Sequence, residues 1–209
     1  MTLDKIFYGF VRMFFKILLT LYNRLSVKWM ERLPKDKNMI VASNHCSNLD
    51  PLVVGVAFPR RLRYFAKEEL FRPFLFGKII RILGAVPVSR ADSSTAAAAL
   101  KGLLRFLEEG RDVLIFPEGA RSSDGKLQPL EGGVGLIASH SKVAILPVFI
   151  KGSYDAMPPG AFMVKPRKIT VIFGKSIPFD PEIHKGKEGR EKIMEELANS
   201  LCALESQAL

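Results

Sequence analysis

Residues 39–51 read MIVASNHCSNLDP, an apolar run typical of a strand that changes into a polar segment and then a helix-like pattern. His45 precedes Asp50 by five positions just where the strand ends. An aspartate bonded to one imidazole nitrogen leaves the other able to take a proton from a hydroxyl. The segment therefore predicts a catalytic pair at the rim of a sheet. The structural alternative is that Asp50 and Pro51 are a helix N-cap followed by proline at the first helical position.

A second segment, residues 112–122, reads DVLIFPEGARS and joins an apolar strand to a glutamate and an arginine. Arg121 offers a permanently charged planar fork for phosphate oxygens, while Glu118 can orient the arginine or accept a bond from a sugar-alcohol hydroxyl. A strand that delivers both to one loop suits a site for a small polyol phosphate. Taken alone, the loop is more typical of a surface turn with an exposed ion pair.

Together these segments resemble the glycerolipid acyltransferase family, and specifically its 1-acyl-sn-glycerol-3-phosphate (lysophosphatidate) acyltransferases. The first family block has a histidine, four residues and an aspartate, like the pair above. The third has the form Phe-Pro-Glu-Gly-Thr-Arg-Ser, which resembles residues 116–122. Residues 84–90 resemble the second block and residues 145–150 the fourth, so four blocks follow the family's order within residues 38–152.

The resemblance implies transfer of a fatty acyl group from acyl-CoA or an acyl carrier protein thioester to the sn-2 hydroxyl of lysophosphatidate, giving phosphatidate. It implies that His45 is the general base, that Asp50 orients it, and that no metal or other cofactor is needed. It also implies a site for the acceptor's phosphate and glycerol. The residues expected there are Arg90, Glu118, Gly119 and Arg121.

The chain departs from the family pattern in two of the blocks. Ala120 stands where the family usually has threonine, so a hydroxyl contact to the acceptor is missing there. Pro87 and Ser89 interrupt the block that ends at Arg90. The acceptor could accordingly be another lysolipid or glycerol 3-phosphate. The alternative of a different class is a non-enzymatic basic membrane-binding protein. That function would not explain why the two loops carry these particular residues.

Past Pro34 the chain alternates strand-like and helix-like segments. This predicts an α/β domain over residues 34–209, with a mostly parallel or mixed central sheet flanked by helices. The expected strands are 38–44, 61–67, 85–89, 112–117, 144–150 and 168–174. The expected helices are 50–58, 72–83, 93–109, 132–141 and 188–205.

Residues 1–33 are rich in aromatic and aliphatic side chains and carry a few cations. On a helical wheel five polar residues of this segment fall within about 80° of one another and leave a broad apolar face. They are Lys5, Arg12, Lys16, Thr20 and Asn23. Charges interrupt the apolar run before the roughly 18 to 20 residues of a membrane span, so we predict an interfacial helix whose cations reach lipid phosphates. The alternative is a helix packed on the domain through its apolar face.

No small-x-small cleavage site follows this segment, so we expect no secretory signal peptide. We therefore expect a peripheral or monotopic membrane protein whose catalytic domain lies on the cytoplasmic face.

The formal net charge of +10 indicates an anionic partner. Charge alone does not choose among nucleic acid, anionic phospholipids and a phosphate-rich acyl donor, and the resemblance favours the last two over nucleic acid. The densest basic clusters, residues 60–63 and 165–168, precede expected strands, where we expect them to form solvated sheet edges.

Cys46 and Cys202 are too few for a disulfide framework and lack metal-ligand spacing, which indicates a reducing compartment. A Cys46–His45 nucleophile is a less favoured alternative, because adjacent residues on an extended chain point to opposite sides. The chain has no G-x-S-x-G elbow of a serine hydrolase. The letters GxGxxA at residues 133–138 lack the preceding strand of a dinucleotide-binding unit.

Overall fold

A computed structural model describes residues 3–88 and 93–208, without the side chains of residue 3 and residues 93–96. It contains a seven-stranded sheet flanked by helices, which confirms the predicted α/β class with a mixed central sheet. The strands are β1 (Ser26–Trp29), β2 (Ile40–Ser43), β3 (Leu62–Lys67), β4 (Ala85–Val88), β5 (Asp112–Ile115), β6 (Ile145–Lys151) and β7 (Thr170–Phe173). The helices are α1 (Leu3–Tyr22), α2 (Asp50–Ala57), α3 (Phe74–Ile82), α4 (Ser93–Glu108), α5 (Gly133–Ser141), α6 (Ser153–Ala156) and α7 (Gly186–Ala208). A 3-10 turn, Glu68–Phe71, precedes α3.

The strand order of the sheet is β1-β7-β6-β2-β5-β3-β4, and neighbouring strands are parallel except β6 and β7. β2 and β5 are adjacent, with β6 on the far side of β2 and β3 on the far side of β5. Because parallel strands end at the same edge of a sheet, the segments that follow β2, β3, β5 and β6 emerge together. We call this edge the carboxyl edge.

The two faces of the sheet are covered by different helices. Along β2, Val41 belongs to the core shared with α1 and α2, whereas Ile40 and Ala42 belong to the core shared with α5 and α7. Successive side chains of a strand point to opposite faces, which explains this division. Every residue of β2 is buried, as expected for a central parallel strand with helices on both sides.

The sheet also contains a strand that the sequence analysis missed. We expected a helical segment over residues 1–33, but the helix ends at Tyr22 and Ser26–Trp29 pairs in parallel with β7. The indole of Trp29 stacks on the ring of Phe173 with centroids 3.9 Å apart. The sheet therefore begins within the segment assigned to the membrane helix. A short edge strand is stabilised by its partner, and its own sequence carries little periodicity.

Two of the five residues of the predicted polar stripe, Arg12 and Asn23, face the domain, while Lys5, Lys16 and Thr20 are exposed. Arg12 donates to the carbonyl oxygens of Val56 at 3.2 Å and Phe58 at 2.7 Å, at the carboxyl end of α2. The buried Asn23 donates to two carbonyl groups just before β7. The prediction that Arg12 reaches lipid phosphates is therefore wrong, because its guanidinium satisfies carbonyl groups at the negative end of a helix dipole.

The outer face of α1 is apolar. The helix docks through residues spaced three or four apart, which lie on one side of a helix. These are Tyr8, Val11, Arg12, Phe15, Leu19 and Asn23. The side chains left exposed include Ile6, Phe7, Phe10, Met13, Phe14, Ile17, Leu18 and Leu21. The alternative in which α1 packs its broad apolar face on the domain is therefore wrong. In the part of the chain that the structure describes, no helix is both long and apolar enough to cross a bilayer.

The basic clusters do not form sheet edges, contrary to our expectation. Arg60 donates to both carboxylate oxygens of Asp112, at 2.6 and 2.7 Å, and Arg61 pairs with Asp4 at 2.8 Å. The strands that follow the clusters, β3 and β7, each have neighbours on both sides. Strand order depends on pairing across the sheet, which local charge does not determine.

The substitution Asp112→Ala should lower the free energy of unfolding by about 2 to 4 kcal/mol. The Asp112 carboxylate also accepts the backbone N–H of Met39 at 2.9 Å, so its loss leaves a half-buried guanidinium and a buried amide without their acceptor. Chemical denaturation measures the change. As a control, Arg105→Ala removes an exposed pair with Glu109 and should cost less than about 0.5 kcal/mol. Equal losses would contradict the anchoring role of Asp112.

Candidate active site

The carboxyl edge brings together the loops that follow the paired strands β2 and β5. The imidazole of His45 stacks on the ring of Phe116, with centroids 4.0 Å apart and planes inclined by 20°. The backbone N–H of Ser122 donates to the His45 carbonyl at 2.8 Å. The two segments singled out in the sequence, residues 39–51 and 112–122, therefore form one site.

His45 and Asp50 form a hydrogen-bonded pair within the first loop. His45 Nδ1 lies 2.9 Å from Asp50 Oδ2, and the same oxygen accepts the backbone N–H groups of Cys46 and Ser47, each at 2.7 Å. The Asp50 side chain is fully buried, whereas 18% of the His45 side chain is exposed. The N-cap of α2 is Leu49, and no side chain caps the helix. The N-cap interpretation of Asp50 is therefore wrong, because its carboxylate points back into the loop.

The hydrogen bonds of Asp50 determine the tautomer that we assign to His45. A carboxylate that accepts two backbone N–H groups acts as an acceptor toward the ring as well, so the proton of the neutral imidazole belongs on Nδ1. The lone pair then lies on Nε2, which bonds to no residue within the described ranges. Such a nitrogen can accept a proton from a bound hydroxyl group.

Glu118 connects the second loop to the backbone of the first. Its Oε1 accepts the backbone N–H of His45 at 2.6 Å, and its Oε2 accepts that of Gln128 at 2.8 Å. Burial raises the pKa of this carboxyl group, while the bonds from the Gln128 and His45 amides act in the opposite direction. The structure thus shows a contact for Glu118 that the sequence analysis did not predict. Its expected contact with the acceptor stays a prediction.

The loop that carries Arg121 is held by several hydrogen bonds. Ser122 Oγ donates to Asp124 at 2.8 Å, and the bonds from Ser122 and the backbone of Lys126 hold the pKa of Asp124 below its usual value. On the far side, Tyr154 donates to the Ser123 carbonyl at 2.7 Å. These bonds hold the backbone that follows Arg121. Arg121 is half-exposed, and its neighbour in the chain, Ser122, is the residue bonded to His45.

Gly119 and Arg90 are the other two residues expected at the acceptor site. Gly119 has a φ of +67°, a conformation that glycine adopts without strain, and a Cβ there would displace the carboxylate of Glu131. Arg90 lies outside the described residues.

Cys46 faces away from the proposed base. Its Sγ lies 3.2 Å from Ser153 Oγ in a buried setting, and burial, followed by the charge of Asp50, raises the pKa of the thiol to about 12. Such a thiol is not ionised at neutral pH, and thiolate is the nucleophilic form. The Cys46–His45 nucleophile considered above is therefore wrong.

Some residues that support the site could not be identified from the sequence. The buried side-chain amide of Asn44 accepts the Ile150 N–H at 2.7 Å and donates to the Ile150 carbonyl at 3.0 Å, which extends the pairing of β2 with β6. Ser47 Oγ donates to the Met157 carbonyl at 2.7 Å. The only sequence signal is that both residues are polar within the loop, and their partners lie more than a hundred positions away.

Comparison with known proteins gives consistent matches. Residues 24–151 match the family described as Acyltransferase. The 1-acyl-sn-glycerol-3-phosphate acyltransferase of Bacillus subtilis (strain 168) is 29% identical over 92% of this chain and 93% of its own length. The chloroplastic 1-acyl-sn-glycerol-3-phosphate acyltransferase LPAT1 of Arabidopsis thaliana is 28% identical over 84% of this chain, which spans only 50% of that relative. The crystal structure of the 1-acyl-sn-glycerophosphate (LPA) acyltransferase PlsC from Thermotoga maritima superposes with a TM-score of 0.78 at 28% identity, covering 98% of this chain and 81% of that one.

Because the Cys46 thiol is buried, we expect the two cysteines to differ in their rate of alkylation. Iodoacetamide should label the exposed Cys202 in the native protein, while Cys46 should react only after unfolding. Peptide mass spectrometry distinguishes the two sites. Labelling of Cys46 in the native protein as fast as that of Cys202 would contradict the protected, un-ionised thiol.

Proposed function

The chain belongs to the acyltransferase family, and from that premise we propose that it moves a fatty acyl group from an acyl thioester to the sn-2 hydroxyl of lysophosphatidate, producing phosphatidate. The observation that carries the proposal is the His45–Asp50 pair beside the loop of Arg121, with an Nε2 that bonds to none of the residues the structure describes. The names of the relatives, which include 1-acyl-sn-glycerol-3-phosphate, support this choice of acceptor.

In the proposed reaction the acceptor hydroxyl oxygen attacks the thioester carbonyl carbon while His45 Nε2 takes the hydroxyl proton. The tetrahedral intermediate then collapses, the carbon–sulfur bond breaks, and the proton on His45 passes to the departing thiolate. Asp50 stabilises the imidazolium between these steps. No acyl-enzyme forms, because the acceptor is itself the nucleophile. General-base catalysis of this kind contributes about 10²- to 10⁴-fold.

The acceptor's phosphate binds to Arg121 in this proposal. A guanidinium can donate two parallel N–H bonds to phosphate oxygens, and the Ser122–His45 backbone bond keeps the backbone next to Arg121 close to the base. Gly119 lets the backbone turn at the glycerol side of the site. Arg90 is the second cation that the sequence suggests. Glu118 acts here first as a positioning residue for the His45 backbone.

The acyl donor is acyl-CoA or an acyl carrier protein thioester, which is a co-substrate and not a resident cofactor. The acceptor and product remain in the lipid phase, so we infer a peripheral or monotopic enzyme on the cytoplasmic face, with the outer face of α1 against the membrane. The net charge of +10 favours an anionic phospholipid surface. The proposal requires no nucleic acid partner.

A thiol-release assay tests the activity. Purified protein is mixed with lysophosphatidate in detergent micelles and with acyl-CoA or acyl carrier protein thioester, and free thiol and phosphatidate are followed together. Glycerol 3-phosphate and a choline lysolipid replace the acceptor in parallel. Release with either of these but not with lysophosphatidate would assign a different acceptor, and release with none would contradict the proposal.

The substitution His45→Ala should lower kcat by about 10²- to 10⁴-fold because it removes the general base, while the thermal unfolding midpoint changes little. His140→Ala is the matched control, since His140 is exposed on α5 and its ring bonds to the Leu136 carbonyl within its own helix. Substantial turnover by the His45 variant would refute the assignment of the base.

The substitution Arg121→Ala should raise the KM for the acceptor roughly ten- to hundredfold, as expected for the loss of a hydrogen bond between charged groups. The KM for the acyl donor should stay close to that of the parent protein. Arg105→Ala, at an exposed position on α4, provides the control. A change confined to the donor KM would count against a phosphate-binding role.

A further inference from the structure

Two exposed apolar segments flank the candidate active site. In the sheet, β2 and β5 supply the catalytic loops, and their outer neighbours are β6 and β3. After β6 and the short α6, the chain enters residues 157–165, which we call the rim loop. After β3 it passes through a 3-10 turn into α3. Both segments start from the carboxyl edge, on opposite sides of His45.

The tip of the rim loop is almost fully exposed. Phe162 is 99% exposed and Met163 is 80% exposed. At the start of α3, Phe74 and Leu75 are 83% and 71% exposed. Large apolar side chains are rarely left this open in neighbouring stretches unless something covers them.

Hydrogen bonds hold the rim loop between the catalytic loop and α1. At its start, the Met157 carbonyl accepts a hydrogen bond at 2.7 Å from the hydroxyl of Ser47, which lies two residues after His45 in the chain. At its end, the Val164 carbonyl accepts from Tyr22 at 3.1 Å, and the Lys165 carbonyl accepts from Asn23 at 2.9 Å. The two ends of the rim loop are therefore held beside the active site and the carboxyl end of α1. Helix α3 also packs against α1.

The charges around the rim loop fit an anionic surface. Residues 157–168 contain no acidic residue, and the three cations that follow the apolar tip, Lys165, Arg167 and Lys168, are all exposed. Lys165 and Arg167 line an open cleft at the base of the loop together with Tyr154 and Asp155. Apolar side chains next to exposed cations are the pattern by which proteins bind the headgroup region of anionic bilayers.

We propose that the rim loop inserts Phe162 and Met163 into an anionic lipid bilayer, and that α3 contributes Phe74 and Leu75 on the other side of the active site. The outer face of α1 completes the same surface. In this arrangement the carboxyl edge faces the bilayer, so the mouth of the active site opens at the level of the headgroups. The inference goes beyond the proposed reaction, because it concerns binding without turnover.

The test measures partition of the full chain, without substrates, onto vesicles of equal parts phosphatidylcholine and phosphatidylglycerol. The double variant Phe162→Ser with Met163→Ser should partition at least about tenfold more weakly, since two large apolar side chains no longer leave water. Phe74→Ser with Leu75→Ser should also weaken partition. Ile183→Ser is the matched control, because Ile183 is exposed but follows β7, which ends at the opposite edge of the sheet.

A second measurement reports the position of the loop directly. The Phe162→Trp variant should show fluorescence quenched by lipids brominated in their acyl chains, beyond the signal of the native Trp29, whereas Ile183→Trp should not. Lys165→Gln with Arg167→Gln should weaken partition to the anionic vesicles but not to pure phosphatidylcholine.

Unchanged partition of the Phe162/Met163 variant, or no quenching at Phe162→Trp, would overturn the inference. A dimer in solution that these substitutions dissociate would also overturn it, since the surface would then belong to a second copy of the chain. Vesicle binding by a protein that releases no thiol in the acyl-transfer assay would leave the inference standing and reject the proposed function. If the serine variants do not fold, the quenching measurement decides.

Discussion

One carboxylate oxygen organises the catalytic loop. Asp50 Oδ2 accepts hydrogen bonds from the His45 ring and from the backbone N–H groups of Cys46 and Ser47. Because this oxygen is buried, these donors replace the water that it has lost. The three N–H groups can reach this oxygen together only while the loop keeps its shape. The shape of the loop and the tautomer of the imidazole therefore both depend on the Asp50 carboxylate. The proposed base is thus oriented before any substrate arrives.

A second carboxylate extends that constraint to the neighbouring loop. Glu118 accepts the His45 N–H with one oxygen and the Gln128 N–H with the other. His45 is therefore held through its ring by Asp50, through its backbone by Glu118, and across its ring face by Phe116. These contacts hold because β2 and β5 are adjacent and parallel, which makes their loops emerge side by side. The strand order of the sheet thus places the two loops side by side, and Asp50 and Glu118 orient His45 within them.

Helix α1 leaves a broad apolar face exposed, whereas a surface helix usually buries its apolar side. Part of its polar stripe contacts the domain. Arg12 donates to a carbonyl group at the carboxyl end of α2, and Asn23 donates to two carbonyl groups just before β7. The apolar side is left outward. In the proposed reaction a lipid acceptor and a soluble thioester meet at the surface of a bilayer, and the exposed apolar face of α1 suits that proposal.

Most helices and strands were predictable from local pattern, because β2 and β5 are short continuous apolar runs and α7 repeats its apolar residues at helical spacing. The edge strand β1 and the inward direction of Arg12 were not, because both are created by partners far away in the chain. The proposed chemistry follows from the sequence by itself, since His45, Asp50, Glu118 and Arg121 lie within two short local patterns. Only the tertiary structure decided that Glu118 holds the backbone of the proposed base and that apolar segments flank it. Those facts depend on which strands lie side by side, and strand order results from long-range pairing that no local pattern encodes.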